Sequence, residues 1–415
     1  MNGQGSIAVI GAGVVGSAVA YALAREGRRV TLIDRADPGV AGASFGNAGH
    51  IAAELVEPLP SPQLLFGFWR ELFSNGGPLD IPVARWGPFS PWALRFAAAA
   101  FRRAANTQHL LPLVKPSATL FEHWLREIGH PSLLRRNGHY EIWLDVQAVR
   151  RRNAQAQKMK ALGIYTLLAP TELLDAASSS AANVAGLWFP DSAHVVDPLE
   201  FVRVLVAAAV GCGAIVEHAE VHSLRALGDG IELVTDQGTI QAAAVVICAG
   251  AWSARLLASF GLHAPIEAAN GYHVELPAQP PLVDAPILYS NERIVVTPMS
   301  GRIRCTGYME FSGIDSPHDL RKPSHLRAVV RSLGYSCDDE GASWRGPRPV
   351  LPDYLPGIGR APGPTPLFYA VGHQHIGLTI APITAELIAD LVAQRKPRLD
   401  ISAFDLKRFG AARSP

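Results

Sequence analysis

One segment near the start of the chain constrains its fold more than any other. Gly11, Gly13 and Gly16 form a G-x-G-x-x-G pattern directly after the apolar run Ile7–Ile10. The first glycine permits a sharp turn, the second lets the backbone approach a pyrophosphate, and the third lets the next helix pack on the strand. Asp34 follows about 20 residues later, where a carboxylate accepts hydrogen bonds from ribose hydroxyls. The segment therefore predicts a strand–helix–strand unit that binds a dinucleotide.

The same segment contains eighteen successive residues without a charge, 7–24. That length would suit a membrane span or the core of a signal peptide. Neither fits, because no basic residue precedes the run, no small-residue cleavage pattern ends it, and a second strand pattern follows at 30–34. We therefore expect a cytoplasmic protein that is soluble or, at most, peripheral on the inner face of a membrane.

The composition limits the class of protein further. A chain of 415 residues suggests two domains, and its hydrophobic content of 48% is ample for burial. A net charge of +1 gives no indication of a nucleic-acid partner. The four cysteines are scattered without C-x-x-C spacing, which argues against disulfides or a zinc site and suits a reducing compartment. We expect no metal site, because no carboxylate or cysteine partners recur near the histidines at ligand spacing.

The rest of the chain alternates between helix and strand patterns. The stretch 57–116 is rich in proline, aromatic residues and arginine, and predicts short inserted helices. The apolar run 243–249 predicts a central parallel strand buried on both faces. Three short alternating runs between residues 271 and 308 predict an antiparallel sheet. The other predicted elements are helices over 113–127, 150–162, 198–211 and 378–393, strands over 138–144, 214–221 and 366–371, and a hairpin of 230–235 with 239–241.

Four further motifs accompany the glycine pattern. They are ASFGNAGHI at 43–51, VVICAGA at 245–251, WRGPRPVLPDYLPGIG at 344–359 and FYAVGHQHIGLTIAP at 368–382. With this layout, the chain resembles the FAD-dependent D-amino-acid dehydrogenase and oxidase family over nearly its whole length. The versions Gly271-Tyr272-His273 and Gly372-x-x-His375-x-Gly377-Leu378-Thr379 are most similar to the D-hydroxyproline dehydrogenase branch.

The resemblance implies an α/β fold in two parts. A discontinuous, Rossmann-like FAD-binding domain is expected from residues 1–57, 192–260 and 346–415. An inserted substrate domain with an antiparallel sheet is expected from residues 58–191 and 261–345. The implied cofactor is FAD, bound non-covalently, because sarcosine-oxidase-type relatives attach it through a cysteine near the C-terminal loop and 344–359 contains none.

The glycine pattern and the resemblance together define the expected cofactor site. The last helix should begin at Gly377, and its positive N-terminus should stabilise the reduced flavin as an anion. The expected FAD-binding residues are Gly11, Gly13, Val14, Val15, Gly16, Asp34, Arg35, Ser44, Asn47, Ala48, Gly49, Val221, Ala249, Gly250, Gly377, Leu378 and Thr379.

Arg348 is the strongest candidate for the substrate site. The flanking prolines stiffen its backbone, and a guanidinium held in this way can clamp a carboxylate through two hydrogen bonds. By resemblance it binds the substrate α-carboxylate; the alternative is a salt bridge with Asp353. Arg345 is a weaker second candidate. The other expected site residues are His375, His273 and His50 as catalytic residues and Tyr272, Tyr308 and His375 as substrate contacts, although structural histidines and core tyrosines would also explain them.

The implied activity is oxidation of the Cα–N bond of a D-amino or cyclic D-imino acid, by hydride transfer to flavin N5. Cis-4-hydroxy-D-proline is the expected substrate. The alternatives are a general D-amino-acid dehydrogenase, a glycine or sarcosine oxidase, a flavin subunit of a multi-subunit amine dehydrogenase, and a flavin-binding subunit without a substrate site. The expected electron acceptor is a quinone, a carrier or a partner subunit, and the aromatic and arginine-rich stretch 66–103 suits either contact with a membrane surface or the roof of the substrate domain.

Overall fold

The computed structural model describes residues 5–177, 183–338 and 341–410. Its strands are β1 (Ile7–Ile10), β2 (Val30–Asp34), β3 (His50–Ile51), β4 (Leu79–Asp80), β5 (Leu134–Arg135), β6 (His139–Trp143), β7 (Leu167–Leu168), β8 (Ala185–Phe189), β9 (Ala193–Val195), β10 (Ile215–His218), β11 (Val221–Leu227), β12 (Gly230–Thr235), β13 (Gly238–Ala242), β14 (Ala244–Ile247), β15 (Glu267–Leu276), β16 (Ile287–Tyr289), β17 (Ile294–Met299), β18 (Arg302–Glu310), β19 (Ser343–Val350), β20 (Gly357–Arg360) and β21 (Leu367–Val371). Its α-helices are α1 (Val14–Arg25), α2 (Pro62–Glu71), α3 (Trp86–Ala100), α4 (Arg103–Val114), α5 (Ser117–Glu127), α6 (Ala148–Ala161), α7 (Thr171–Ala177), α8 (Pro198–Gly211), α9 (Ser253–Ala258), α10 (Arg321–Ser332) and α11 (Gly377–Val392).

The predicted Rossmann-like unit is confirmed. Six strands form one sheet in the order β10-β2-β1-β14-β21-β20, assembled from four separate parts of the chain. All neighbours are parallel except the edge pair β20–β21. The apolar strands β1, β14 and β21 are buried throughout, because helices cover one face of the sheet and the three-stranded sheet β11-β12-β13 with α9 covers the other. Helices α1, α8 and α11 pack together on one of these faces.

A larger, separate sheet contains the predicted antiparallel strands. It contains nine strands, which run β19-β15-β18-β17-β16-β6-β8-β7, with β4 beside β18. The three predicted runs correspond to β15, β17 and β18 and pair antiparallel. The sheet is not wholly antiparallel, however, because β6 pairs parallel with β16 and β4 parallel with β18. Both parallel strands come from the inserted segment, which reaches the sheet by long connections instead of hairpins.

Two predicted elements were wrong in their extent. The predicted helix over 113–127 is the end of α4 and all of α5, which are separated at Lys115-Pro116. Proline disfavours helical backbone at the residue before it and has no N–H to donate. The predicted strand over 214–221 is β10 and the start of β11, which belong to different sheets. The helix over 198–211 is confirmed as α8, and Asp197 caps it by accepting from the N–H groups of Leu199 and Glu200.

The uncharged run 7–24 forms β1 and most of α1 instead of a single helix. Across the described residues, no helix has both the length and the apolar character needed to cross a membrane. The predicted domain boundary at residue 346 lies inside β19, which pairs with β15 of the nine-stranded sheet. The division into two domains at the stated residues stays a prediction.

Candidate functional site

A cavity of about 1820 Å³ lies at the carboxyl ends of the parallel strands. The residues that follow β1, β2, β14 and β21 all contribute to its wall, as expected for a ligand site in an open α/β sheet. The cavity then continues between the six-stranded sheet and the nine-stranded sheet, where side chains of β18, β19 and the inserted helices line it. One site can therefore hold a long cofactor and a small substrate together.

The glycine loop forms the first wall of the cavity. A Cβ atom on Gly16 would lie 1.8 Å from the carbonyl oxygen of Gly11, so only glycine allows α1 to pack this closely on β1. Gly13 is the N-cap of α1 and supplies no side-chain acceptor. The Asp34 carboxylate accepts from the Ala12 N–H at 2.6 Å and from the Ala36 N–H at 3.1 Å, which fixes the loop beside the end of β2.

The loop 43–51 lies against the glycine loop. Ser44 Oγ accepts from the Val14 N–H at 2.9 Å. Asn47 closes the turn, because its Nδ2 donates to the Ser44 carbonyl at 2.7 Å and its Oδ1 accepts from the Gly49 N–H at 2.7 Å. The buried guanidinium of Arg304 donates to the carbonyls of Phe45 and Asn47. Side chains of the nine-stranded sheet therefore hold a loop that faces the dinucleotide.

The N-terminus of α11 forms a third part of the wall. Gly377, Leu378 and Thr379 line the cavity, and the N-cap residue Ile376 gives no side-chain hydrogen bond. The first N–H groups of a helix have no acceptor within the helix, so this end presents donors and a partial positive charge. Thr379 Oγ1 also donates to the His50 carbonyl at 3.3 Å, which joins α11 to the loop 43–51.

Arg348 lies on β19 and lines the cavity. Its Nη1 donates to the Tyr308 carbonyl at 2.9 Å, and no carboxylate of the described residues lies within salt-bridge distance of it. The alternative partner, Asp353, pairs with Arg408 at 2.7 Å instead. Burial removes water from the Arg348 guanidinium and so lowers its pKa. No carboxylate of the described residues replaces the lost hydration. A guanidinium has five N–H donors, so most of them remain for a ligand.

His375 lies beside Arg348 in the loop before α11. Its side chain is open to the cavity, and its ring centroid lies 5.7 Å from that of Tyr354. Loss of bulk water around it, followed by the charge of Arg348, lowers the pKa of His375 to about 4. The imidazole is therefore neutral near pH 7, and it can donate one hydrogen bond and accept another.

His50 belongs to a buried cluster that the sequence did not predict. His50 Nε2 lies 3.3 Å from Glu54 Oε1, and His139 Nε2 lies 3.6 Å from the same oxygen. All three side chains line the cavity. Burial lowers the pKa of His50 and lowers that of His139 to about 3, while burial raises the pKa of Glu54 to about 7.

Two predicted pocket residues are corrected by the structure. The Tyr272 hydroxyl donates to Glu310 in the interior of the nine-stranded sheet. His273 stacks on Trp344 at 5.2 Å and its Nδ1 contacts the Gly46 carbonyl at 2.9 Å. Neither residue lines the cavity. Arg345 is also engaged elsewhere, by Ser312, Gly313 and Ser316.

Most of the expected site residues do lie together. Gly16 and Gly49 are exceptions, since they serve loop packing and do not line the cavity. The expected residues that do line it are Gly11, Gly13, Val14, Val15, Asp34, Arg35, Ser44, Asn47, Ala48, His50, Val221, Ala249, Gly250, Tyr308, Arg348, His375, Gly377, Leu378 and Thr379. Sequence reasoning missed Glu54, His139, Glu141 and Tyr354. The available signal for Glu54 and Glu141 was an acidic residue within an otherwise apolar segment.

The residues present fit a flavin dinucleotide. The bare N-cap at Gly13 and the loop of glycines admit phosphates at the start of α1. At one end, the Arg35 guanidinium lies 4.3 Å from the Trp252 ring and forms a flat wall that suits an adenosine. At the other end, the α11 N-terminus and the loop 43–51 enclose the space that leads to Arg348.

Comparison with known proteins agrees with this geometry. The family model described as FAD dependent oxidoreductase matches residues 6–391. The chain is 30% identical to a D-amino-acid oxidase of Bradyrhizobium diazoefficiens, with 97% of this chain and 98% of that protein covered. It is 31% identical to a D-amino acid dehydrogenase of Paramagnetospirillum magneticum, at the same coverage.

Solved structures share the fold. Glycine oxidase from Geobacillus kaustophilus superimposes with a TM-score of 0.76 at 24% identity and covers 98% of this chain and 99% of its own. L-proline dehydrogenase from P. horikoshii gives a TM-score of 0.72 at 21% identity, with 99% and 98% covered. Because the family model spans nearly the whole chain and the relatives align end to end, this chain belongs to the FAD dependent oxidoreductase family.

Proposed function

We propose that this oxidoreductase oxidises the Cα–N bond of a D-amino or cyclic D-imino acid. The main support is Arg348, which pairs with no carboxylate of the described residues. It lines the same cavity as the dinucleotide loop. A substrate carboxylate supplies the missing anion and fixes the molecule by its carboxyl end. The two relatives that are named for D-amino acids support this class of substrate.

When bound, FAD supplies the hydride acceptor, flavin N5. The residues of the chain do the remaining work by orientation. Arg348 holds the carboxylate, so Cα and the amine are presented from one direction. The partial positive charge at the α11 N-terminus favours the reduced cofactor as an anion. No general base is assigned, because the proton of the amine can leave to water in the cavity.

The finer substrate proposal is cis-4-hydroxy-D-proline, followed by D-proline. Among the histidines expected at the site, His375 has an exposed side chain that lines the cavity with Arg348. A neutral imidazole there can hydrogen-bond a hydroxyl, and a site of this kind discriminates against substrates that lack the group. The names of the relatives favour the second candidate, a D-amino-acid dehydrogenase of broad specificity.

The test is anaerobic reduction of the bound flavin by a panel of substrates, followed by kcat/KM for each. The panel is hydroxy-D-proline, D-proline, D-alanine, glycine and sarcosine. We expect hydroxy-D-proline to lead, and His375→Ala to weaken hydroxyproline more than proline. If D-alanine or glycine leads, the hydroxyproline assignment is wrong, and if no member reduces the flavin, so is the class of reaction.

We further propose that the electrons leave to a quinone, a carrier or a partner subunit instead of chiefly to oxygen. Apolar side chains at the cavity mouth support this proposal. Trp69 and Trp86 line the cavity and are 62% and 48% exposed, and Phe66, in the same helix as Trp69, is 89% exposed. Phe89 and Trp92 are buried with Phe311, so the aromatic stretch also covers the substrate side. Turnover with a dye or quinone should exceed turnover with oxygen, and fast peroxide formation would contradict this.

We also propose that FAD is bound without a covalent bond, because of where the cysteines lie. Among the described residues, Cys248 is the cysteine that lines the cavity, and burial raises the pKa of its thiol. The thiol therefore stays neutral and is a poor nucleophile. Acid precipitation should release yellow FAD into the supernatant. Colour that remains with the pellet would show a covalent bond.

A further inference from the structure

The wall of the cavity contains a group of buried polar atoms without partners. His50 Nε2 and Glu54 Oε1 are inaccessible to solvent and make no hydrogen bond. The side chains of Glu54 and His139 are only 5% and 1% exposed. Buried polar atoms normally have a partner, so this group indicates a ligand that lies among them.

The distances suit a metal ion better than a direct hydrogen bond. The Glu54 oxygen lies 3.3 Å and 3.6 Å from the two Nε2 atoms, in geometry that makes no hydrogen bond with either. Ligands at about 2.0–2.2 Å from a tetrahedral ion lie roughly 3.3–3.6 Å from each other. One ligand atom from each of the three residues falls within 4.8 Å of the others.

The three side chains are held in place independently. Ser192 Oγ donates to Glu54 Oε2 at 2.5 Å, which leaves Oε1 as the free oxygen. Ser192 Oγ in turn accepts from the Ala53 N–H at 3.1 Å. His50 is fixed by pairing of β3 with β9, and His139 by pairing of β6 with β8. A hydrogen-bonded carboxylate on a rigid frame is the usual support of a metal ligand.

We propose that His50, Glu54 and His139 bind one divalent first-row transition cation, with Zn²⁺ as the first candidate. Two imidazoles and one carboxylate are a recurring ligand set for zinc, and also for non-haem iron. All three residues line the cavity, and three protein ligands leave the fourth position of a tetrahedral ion for water or another small ligand. The proposal does not depend on the identity of the substrate.

The test measures metal in the FAD-loaded protein, prepared without a histidine tag in metal-free buffers. Elemental analysis by mass spectrometry should find about one Zn²⁺ per chain, either as purified or after incubation with ZnCl₂ and dialysis. Glu54→Gln and His139→Gln should each reduce the bound metal at least about tenfold while FAD occupancy is kept. Parallel loading with MnCl₂ and anaerobic FeSO₄ identifies the preferred ion.

His123→Gln is the matched control. His123 and Glu127 are also a histidine and a glutamate four residues apart, but His123 is 72% exposed on α5. This variant should keep the metal.

Chelation should also lower the Tm of the wild-type holoenzyme, which tests the site even where a variant fails to fold. Less than about 0.1 metal per chain under every condition, with FAD bound, would overturn the proposal, as would equal loss in the His123 variant.

Discussion

The two ends of the cavity are built in different ways. At the dinucleotide end, the wall consists largely of backbone N–H groups, glycines and short side chains, such as Gly13 and Ser44, with Arg35 and Trp252 at its edge. At the substrate end, the wall consists of charged and aromatic side chains such as Arg348, His375 and His139. A ligand common to many enzymes can be held by the backbone, whereas the choice of substrate requires side chains. The two ends should therefore respond differently to substitution.

The largest effect is expected at the dinucleotide end, from Gly16→Ala. The added Cβ would meet the Gly11 carbonyl oxygen at 1.8 Å, and neither backbone can move without separating α1 from β1. We expect a loss of more than about 3 kcal/mol in stability and no bound FAD. The ratio of flavin to protein absorbance and the Tm measure both. Gly87→Ala is the control, since nothing lies within 4 Å of its Cβ, and normal FAD binding in Gly16→Ala would contradict the close packing.

At the substrate end, Arg348→Lys should separate substrate binding from cofactor binding. Lysine keeps the charge but loses the planar fork that fits a carboxylate. We expect the transition state to lose about 2–5 kcal/mol of stabilisation, which lowers kcat/KM roughly 30- to 4000-fold, while FAD occupancy stays normal. Arg345→Lys is the matched control, because Arg345 bonds to Ser312 and Ser316 outside the cavity. An unchanged KM for every good substrate would exclude the carboxylate clamp.

Gly271→Ala should produce a smaller effect at the same end, without replacing a charged residue. A Cβ on Gly271 would lie 2.1 Å from Nη2 of Arg348, so the flexible guanidinium must move while the backbone remains in place. A misplacement of about 1 Å costs roughly 10²-fold in kcat/KM. Steady-state kinetics measures the effect of the displaced guanidinium, and an unchanged Tm shows that the backbone has stayed in place. A variant with full activity would show that the position of the guanidinium beside Gly271 is not the one used in turnover.

The smallest effect is a pH dependence of stability at His373, between the two ends. Burial lowers the pKa of His373 to about 3, so the unfolded chain takes up this proton near pH 6.5 and the folded chain does not. Stability therefore falls as the pH falls, by about 2 kcal/mol from this group between pH 7.5 and pH 5. Over the same pH change, the Tm of His373→Gln should fall by about 2 °C less than the Tm of the wild-type protein. If both proteins lose the same Tm, His373 is charged in the folded state.

The contrast between the two ends also explains which residues were predictable. The glycine loop and Asp34 follow one another at short range, and α11 begins at a glycine inside a motif of its own. Local spacing therefore carried the information, and the structure confirms the fold. Tyr272 and His273 face opposite sides of β15, and neither lines the cavity. They were misplaced because the motif does not show which tertiary partners their side chains meet. Trp344 and Glu310 determine this by packing against them.

The sequence by itself determined the Rossmann-like sheet, the dinucleotide loop and the candidate clamp at Arg348, because local spacing and stiff flanking residues set them. Only the tertiary structure decided the cluster of His50, Glu54 and His139. His139 reaches the cluster because β6 pairs with β8, and β9, which follows β8 in the chain, pairs with β3. Long-range strand pairing leaves no periodic signal in the sequence, and it selects which buried polar side chains meet.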